Sequence, residues 1–467
     1  MSVTETLVRF VLERGYADFP AEVVRVTKEH VLDVFGAMLA GYDEPAARIA
    51  MRVMREAGGT PEAGVVGGGF RTSVANVAFV NGISGHTLEI EAVGRSPGSD
   101  TLTLVAAGLS MAERLCLSGR QLIEFIVLGE EFQGRVGMGA PGGSWRGHCG
   151  LNLYAPPAIA AVCGKVLGLD VTATRMAVGL AMSRASGYYR HTGTMAHTHE
   201  AGLACRSGIE AALLAAAGMS ADADLLEGKG GFVDLMCHWD KAPDYALMAQ
   251  GLGDPYYIVA PGTSVKKYGC CFLGHRPMEA LLQLMAEHSF GVEEVETVRI
   301  EVNALTSQMM NRPSPRDGDE AKFSMQHVLA AALVDGMRAL PMVDAFSDAG
   351  AVDGRYARAR ALIEMVESPA AAPGLATGAA PPVVVRLKNG TTLERAATGA
   401  AFKGSPENPL SVAEMHDRFR RCAGRVLTTA QVERVIAQIE RLEDCVDLSE
   451  LMEIGTFGMF NPRPGLP

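Results

Sequence analysis

The sequence predicts a mainly α-helical protein that carries a smaller α+β insert, and three observations predict it. From Ser73 to about Met219 the chain runs in Ala-, Leu- and Gly-rich segments whose apolar residues recur at helical spacing. After about Pro255 the character changes, with an alternating β-branched stretch at Glu294–Val302 and a hairpin signal at Lys388-Asn389-Gly390. Helical periodicity then returns from Val412 towards the end. The expected division is a discontinuous helical domain, residues 1–262 with 405–467, and an α/β lid domain, residues 263–404.

Taken in order, Thr4–Arg14, Ala21–Ala40 and Glu44–Glu56 have helical periodicity, with Pro20 and Asp43-Glu44-Pro45 as start and stop signals. Val65–Thr72, with its Gly67-Gly68-Gly69 triplet, reads as a loop or short strand. The small-residue segments that follow are interrupted near Gly137–Gly150 and Tyr188–Glu200, and such helices can pack closely on all sides. In the insert, Gln326–Met337 and Val352–Val366 read as helices, Ala370–Pro382 as a linker, and Val383–Leu387 with Thr391–Ala396 as the hairpin. Val412–Cys422, Thr429–Leu442 and Asp447–Glu453 close the chain as helices.

The totals narrow the function classes. Among 467 residues, 48% are hydrophobic and 20% charged, which allows a large core and argues against wholesale disorder. A net charge of -11 with only 6% aromatic residues speaks against a nucleic-acid partner. No apolar run reaches the roughly 18 residues a spanning helix needs, so no membrane partner is expected. The charged start lacks a secretory apolar region, and nine cysteines without a CxxC pair suggest thiols in a reducing compartment. A cytoplasmic location follows as the expectation. Neither a phosphate-binding glycine loop nor GxSxG occurs, which disfavours nucleotide use and serine-hydrolase chemistry.

Five stretches could carry chemistry. In Asn81–Glu91, read as a helix, His86 and Glu89 lie three apart on one face, a plausible acid/base pair, whereas Glu91 points elsewhere. Arg146-Gly147-His148 lies in a Gly-rich loop able to hold an anion on free N–H groups. The run His191–Glu200 concentrates three histidines, including His197, yet its spacing matches no established metal-ligand pattern, so no metal is expected. Lys266, in Val265-Lys266-Lys267-Tyr268, could act as a base or hold a carboxylate if its cleft lowers its pKa. His327, at the start of an apolar helix, could point into a cleft.

Together these pieces resemble the MmgE/PrpD family, nearly end to end. The resemblance rests on Phe19-Pro20-Ala21-Glu22, Asn81-Gly82 with His86-Thr87-Leu88-Glu89, and Arg146-Gly147-His148. It extends to Leu226-Glu227-Gly228, Lys266-Lys267-Tyr268 with Cys271 and His275, Lys322-Phe323-Ser324, and Glu407-Asn408-Pro409. It implies a homodimer without metal or organic cofactor, acting between helical domain and lid on a small carboxylate-bearing substrate. The implied chemistry is proton transfer at the carbon next to a carboxylate, with dehydration as the default and two-base epimerisation or decarboxylation as alternatives. Lys266 and His86 would be base and acid on opposite walls of the cleft, His148 catalytic beside them, and Glu89 would orient His86. Substrate binding would fall to His197, Ser96, Tyr268, His327 and Arg146. Several family positions are replaced: Glu89, Glu91 and Ala92 stand where aspartates are usual, Ser96 where a histidine is, and His327 where a tyrosine is. These replacements suggest a different substrate, and leave open a binding homologue without catalysis.

Overall fold

A computed structural model describes residues 1–94, 100–140, 142, 147–237, 242–336, 343–369, 380–397 and 402–457. It is mainly helical with one small mixed sheet. The first part contains α1 (Val3–Glu13), α2 (Ala21–Gly41), α3 (Pro45–Ala57), α4 (Val74–His86), α5 (Thr101–Leu115), α6 (Gly119–Gly139), α7 (Leu151–Val166), α8 (Val171–Met182) and α9 (Met195–Ala216). Helices α4 and α7 are apolar almost all round and lie in the interior, as their composition requires. After the sheet region come α12 (Val412–Ala423) and α13 (Thr429–Glu440), which follow α10 (His275–His288) and α11 (Met325–Asp335) in the chain.

Two large hydrophobic cores form. One runs from Leu7 to Ile258 and takes in Phe419, Val435 and Ile439, so the C-terminal helices fold back onto the N-terminal ones. The other gathers Tyr268 to Leu387. It covers a four-stranded sheet built from β5 (Val295–Val302), β6 (Ile363–Glu367), β7 (Ala380–Leu387) and β8 (Thr392–Ala397), ordered β6-β5-β7-β8. The β7–β8 hairpin turns at Lys388-Asn389-Gly390, with Gly390 at φ 87°, a conformation glycine adopts without a Cβ penalty. Strand β5 pairs antiparallel with β7 and parallel with β6. Two short pairs precede these strands: β1 (Ala63–Gly64) with β2 (Arg71–Thr72), and β3 (Val93–Gly94) with β4 (Thr263–Ser264).

One element differs from expectation. Val352–Val366 is not a single helix: a short helix spans Gly354–Arg360 and Ile363–Glu367 then joins the sheet. The open edge of β5 offers hydrogen bonds along Ile363–Glu367, and that pairing outweighs a weak helical pattern. Most of the Ala370–Pro382 linker lies outside the described residues. Among the described residues, no helix is long and apolar enough to cross a membrane.

Candidate active site

The site grows from a close helix crossing. Where α4 meets α9, a Cβ on Gly82 would stand 2.9 Å from Gly202 Cα, and one on Gly202 would stand 2.4 Å from the Phe79 carbonyl oxygen. Glycine at both positions permits this approach. It sets His86, the last residue of α4, against His197 in the first turn of α9, with their Nε2 atoms 3.3 Å apart. Both rings are buried, and Phe323 packs edge-on against His197.

Past His86 the chain leaves the helix, and the helical reading of His86 and Glu89 gives way to a different periodicity. Glu89 has φ 52°, a left-handed conformation that costs a non-glycine residue roughly 1–2 kcal/mol. Side chains now alternate. Leu88 and Ile90 enter a small apolar cluster with Ala37, Ala40 and Cys422, which leaves Glu89 and Glu91 to point together the other way. Glu91 therefore shares the site with Glu89, contrary to the helical expectation. Asp33 Oδ2 accepts the Ala92 N–H at 2.9 Å, and Arg418 of α12 donates to Asp33 Oδ1 at 2.6 Å and to the Ile90 carbonyl. Strand β3 pairs with β4, which delivers Lys266 to the two carboxylates.

Lys266 Nζ donates to Glu89 Oε2 at 2.6 Å and to Glu91 Oε1 at 2.8 Å. His86 Nδ1 lies 2.9 Å from the same Glu91 oxygen. Glu89 Oε1 stands 3.4 Å from His86 Nε2 and 3.5 Å from His197 Nε2, and has no hydrogen-bond partner. Burial alone would drive the Lys266 ammonium to give up its proton, but Glu89 and Glu91 outweigh it and hold its pKa above the ordinary lysine value. Burial likewise opposes a charged His86, and the same carboxylates reverse the sign, so its pKa is raised. Burial favours neutral Glu89 and Glu91; Lys266 and His86 overcome it and keep both ionised. Burial lowers the His197 pKa, and pushes that of the neighbouring Asp100 up to about 7.

The cluster thus sets two carboxylates against Lys266 and His86, whose charged forms they favour, while burial disfavours a charged His197. A cavity of about 440 Å³ is lined by Glu44, Leu88 and Met195 together with Asp319, Lys322 and Phe346; it reaches the flanking residues Leu88 and Met195, and none of His86, Glu89, Lys266 and His197 lines it. Lys322 Nζ also donates to the Thr87 carbonyl at 2.5 Å, tying the second core to the end of α4.

The structure thus brings His86, Glu89, Lys266 and His197 together, as neighbours in one network rather than as opposite walls. The carboxylate partners of Lys266 hold its pKa above the ordinary lysine value, which opposes the expected role as a base. The ring of His148 lies beside that of Tyr188, with 6.2 Å between the centroids. Tyr268 donates its hydroxyl to Glu279 at 2.6 Å and is buried in the second core. His327 is not on a cleft: Phe346 and Tyr356 enclose it, its Nε2 meets the Ala345 carbonyl at 2.7 Å, and its Nδ1 meets Arg360 at 2.8 Å. A helix-start position says nothing about which core a ring enters. Ser96 and Arg146 lie outside the described residues. Arg418, 385 positions from its partner Asp33, was not singled out from sequence and carries no local signal. Glu91 was visible as a replaced family position, but its role required knowing where α4 ends.

Comparison with known proteins agrees with this architecture. The family model described as the MmgE/PrpD N-terminal domain matches residues 5–244, and that for the MmgE/PrpD C-terminal domain matches residues 268–444. Human cis-aconitate decarboxylase is 24% identical over 471 residues, covering 97% of this chain and 95% of its own length. The mouse protein of the same name is 25% identical over 82% of this chain and 79% of its own. Cis-aconitate decarboxylase of Aspergillus terreus is 24% identical, covering 97% of this chain and 95% of its own.

Proposed function

The chain belongs to the MmgE/PrpD family, and from that premise we propose that it is a lyase acting on a small polycarboxylate. In this reading the electrons of a breaking bond are left on a carbon next to a carboxylate, and His86 Nε2–H delivers the proton that quenches them. The carrying observation is the His86 environment. Its Nδ1 is fixed by Glu91, its pKa is raised, and its Nε2 faces Glu89 Oε1 at 3.4 Å and His197 Nε2 at 3.3 Å. Lys266 acts as the fixed countercharge that keeps both glutamates ionised, and Lys322 and Arg425 are cations along the cavity that Leu88 and Met195 line. We place the reaction between a helical domain, residues 1–262 with 405–467, and a lid, residues 263–404, in a homodimer with no nucleic-acid or membrane partner.

Within the lyase class, decarboxylation fits the site better than dehydration. Dehydration needs a base and an acid, whereas loss of carbon dioxide needs only the acid. Lys266 is unavailable as a base, and Glu89, held strongly ionised, is a weak one. The same point removes the two-base epimerase that relied on Lys266. The relatives named cis-aconitate decarboxylase support the choice.

The test is proton NMR in deuterated water, with purified protein and a panel of unsaturated and hydroxy tri- and dicarboxylates. Carbon dioxide release, with one deuterium incorporated at the carboxylate-bearing carbon that took up the electrons, supports the reading. Alkene formed only from a hydroxy acid would move the assignment to dehydration. No turnover across the panel would favour a binding homologue.

A further inference from the structure

We propose that His86, Glu89 and His197 form a binding site for one divalent transition-metal ion, with Zn²⁺ and Co²⁺ the best-matched ions. The inference goes beyond the reading above and does not rest on it. Among the described residues, this is the group of His, Cys, Asp and Glu side chains whose ligand atoms converge closely enough to hold an ion. Its three ligand atoms form a nearly equilateral triangle: 3.3 Å between the Nε2 atoms, and 3.4 and 3.5 Å from these to Glu89 Oε1. Ligand bonds of about 2.0–2.1 Å at tetrahedral angles place ligand atoms roughly 3.3 Å apart, whereas one face of an octahedron would place them at about 3.0 Å. The triangle matches the tetrahedral face.

A second observation also points to a ligand. Glu89 Oε1 is buried with no hydrogen-bond partner, although Glu89 is only 4% exposed and its other oxygen is held by Lys266. Around His86 and Glu89 the arrangement is the one metal sites use, whereas His197 Nδ1 has no hydrogen-bond partner among the described residues. Glu91 Oε1 lies 2.9 Å from His86 Nδ1 and would accept a hydrogen bond from its N–H, so that the ion would displace the proton on Nε2. Lys266 orients Glu89 from behind. Glu89 also holds its left-handed backbone, a strain that turns its carboxylate towards the two rings. Two imidazoles and one carboxylate suit Zn²⁺ and leave a fourth position that a carboxylate or water can take. The chain around His197 alone matches no metal motif, because His86 and Glu89 are contributed by another helix end.

Metal at this site takes the atom from which His86 would give its proton, so the loaded protein lacks the proposed acid. The experiment titrates untagged, chelator-stripped, full-length protein with Co²⁺ alone and then displaces it with Zn²⁺. The expected result is one equivalent of Co²⁺ bound, with the intense visible bands of a tetrahedral or five-coordinate ion. Glu89→Gln and His197→Gln should each weaken binding by about 100-fold or more, and Glu91→Gln by about 10- to 100-fold. Circular dichroism of each variant checks that it has folded. Failure of the folded wild-type protein to bind stoichiometric Co²⁺, or unchanged affinity in folded His197→Gln, overturns the site. If Co²⁺ binds as expected but loaded protein turns over substrate as fast as stripped protein, the metal site stands and His86 is not the proton donor.

Discussion

Lys266 Nζ lies 2.6 Å from Glu89 Oε2, and this contact governs the protonation of both residues. A lysine expected from sequence to lose its proton in a cleft instead has its pKa raised by two carboxylates, and its partner Glu89 has its pKa lowered in turn. Lys266→Met should leave Glu89 and Glu91 facing each other without a countercharge, at a cost on the order of 3–5 kcal/mol. Chemical denaturation measures it. Pairing Lys266→Met with Glu89→Gln should recover part of the loss, since it removes one of the stranded charges.

The crossing of α4 and α9 offers a second test. Gly202→Ala places a methyl group 2.4 Å from the Phe79 carbonyl oxygen, so the helices must part. Overpacking of this kind costs about 1–3 kcal/mol. Because the same crossing sets the His86–His197 separation, Co²⁺ affinity and turnover should fall in protein that is still folded. A stability loss with both unchanged would separate the crossing from the site.

Arg418 braces the acidic segment from the far end of the chain. Arg418→Met leaves Asp33 buried without its cation and frees the Ile90 carbonyl, with an expected loss of about 3–5 kcal/mol. The double variant Asp33→Asn/Arg418→Met should be more stable than Arg418→Met alone. A thermodynamic cycle from urea unfolding checks the coupling.

Glu130, on α6, gives a pH prediction distinct from the cluster. Burial pushes its pKa up to about 7, against 4.5 as the ordinary value. Between these values the folded protein binds a proton that the unfolded chain has released. Stability contributed by this group therefore falls as pH rises from about 4.5 to about 7, and stays low above it. Glu130→Gln should flatten that part of the stability profile and raise stability at pH 8 by on the order of 2–3 kcal/mol. Unfolding free energies measured from pH 4 to 8 provide the check.

Much of the architecture was legible because it is written in local pattern. Helical spacing marks α1 to α3 and α12 to α13 closely, and Lys388-Asn389-Gly390 marks its hairpin. The strand at Ile363–Glu367 was not legible, since only the partner β5 decides it. The site divides the same way. His86, Glu89, Lys266 and His197 each stand out by residue type, and the structure places them within one network. Their roles did not follow from type. Whether Lys266 is base or countercharge depends on carboxylates more than 170 positions away, and whether Glu91 joins Glu89 depends on α4 ending at His86. His327 carried the same chemical promise as His197, and only tertiary packing sent it into the second core.

The most direct test of the central claim compares wild type with His86→Asn on an unsaturated tricarboxylate, following carbon dioxide release in metal-free buffer. Loss of the proton donor should slow turnover by about 100- to 10,000-fold in protein that melts as wild type does. Release at the wild-type rate from folded His86→Asn would contradict the account.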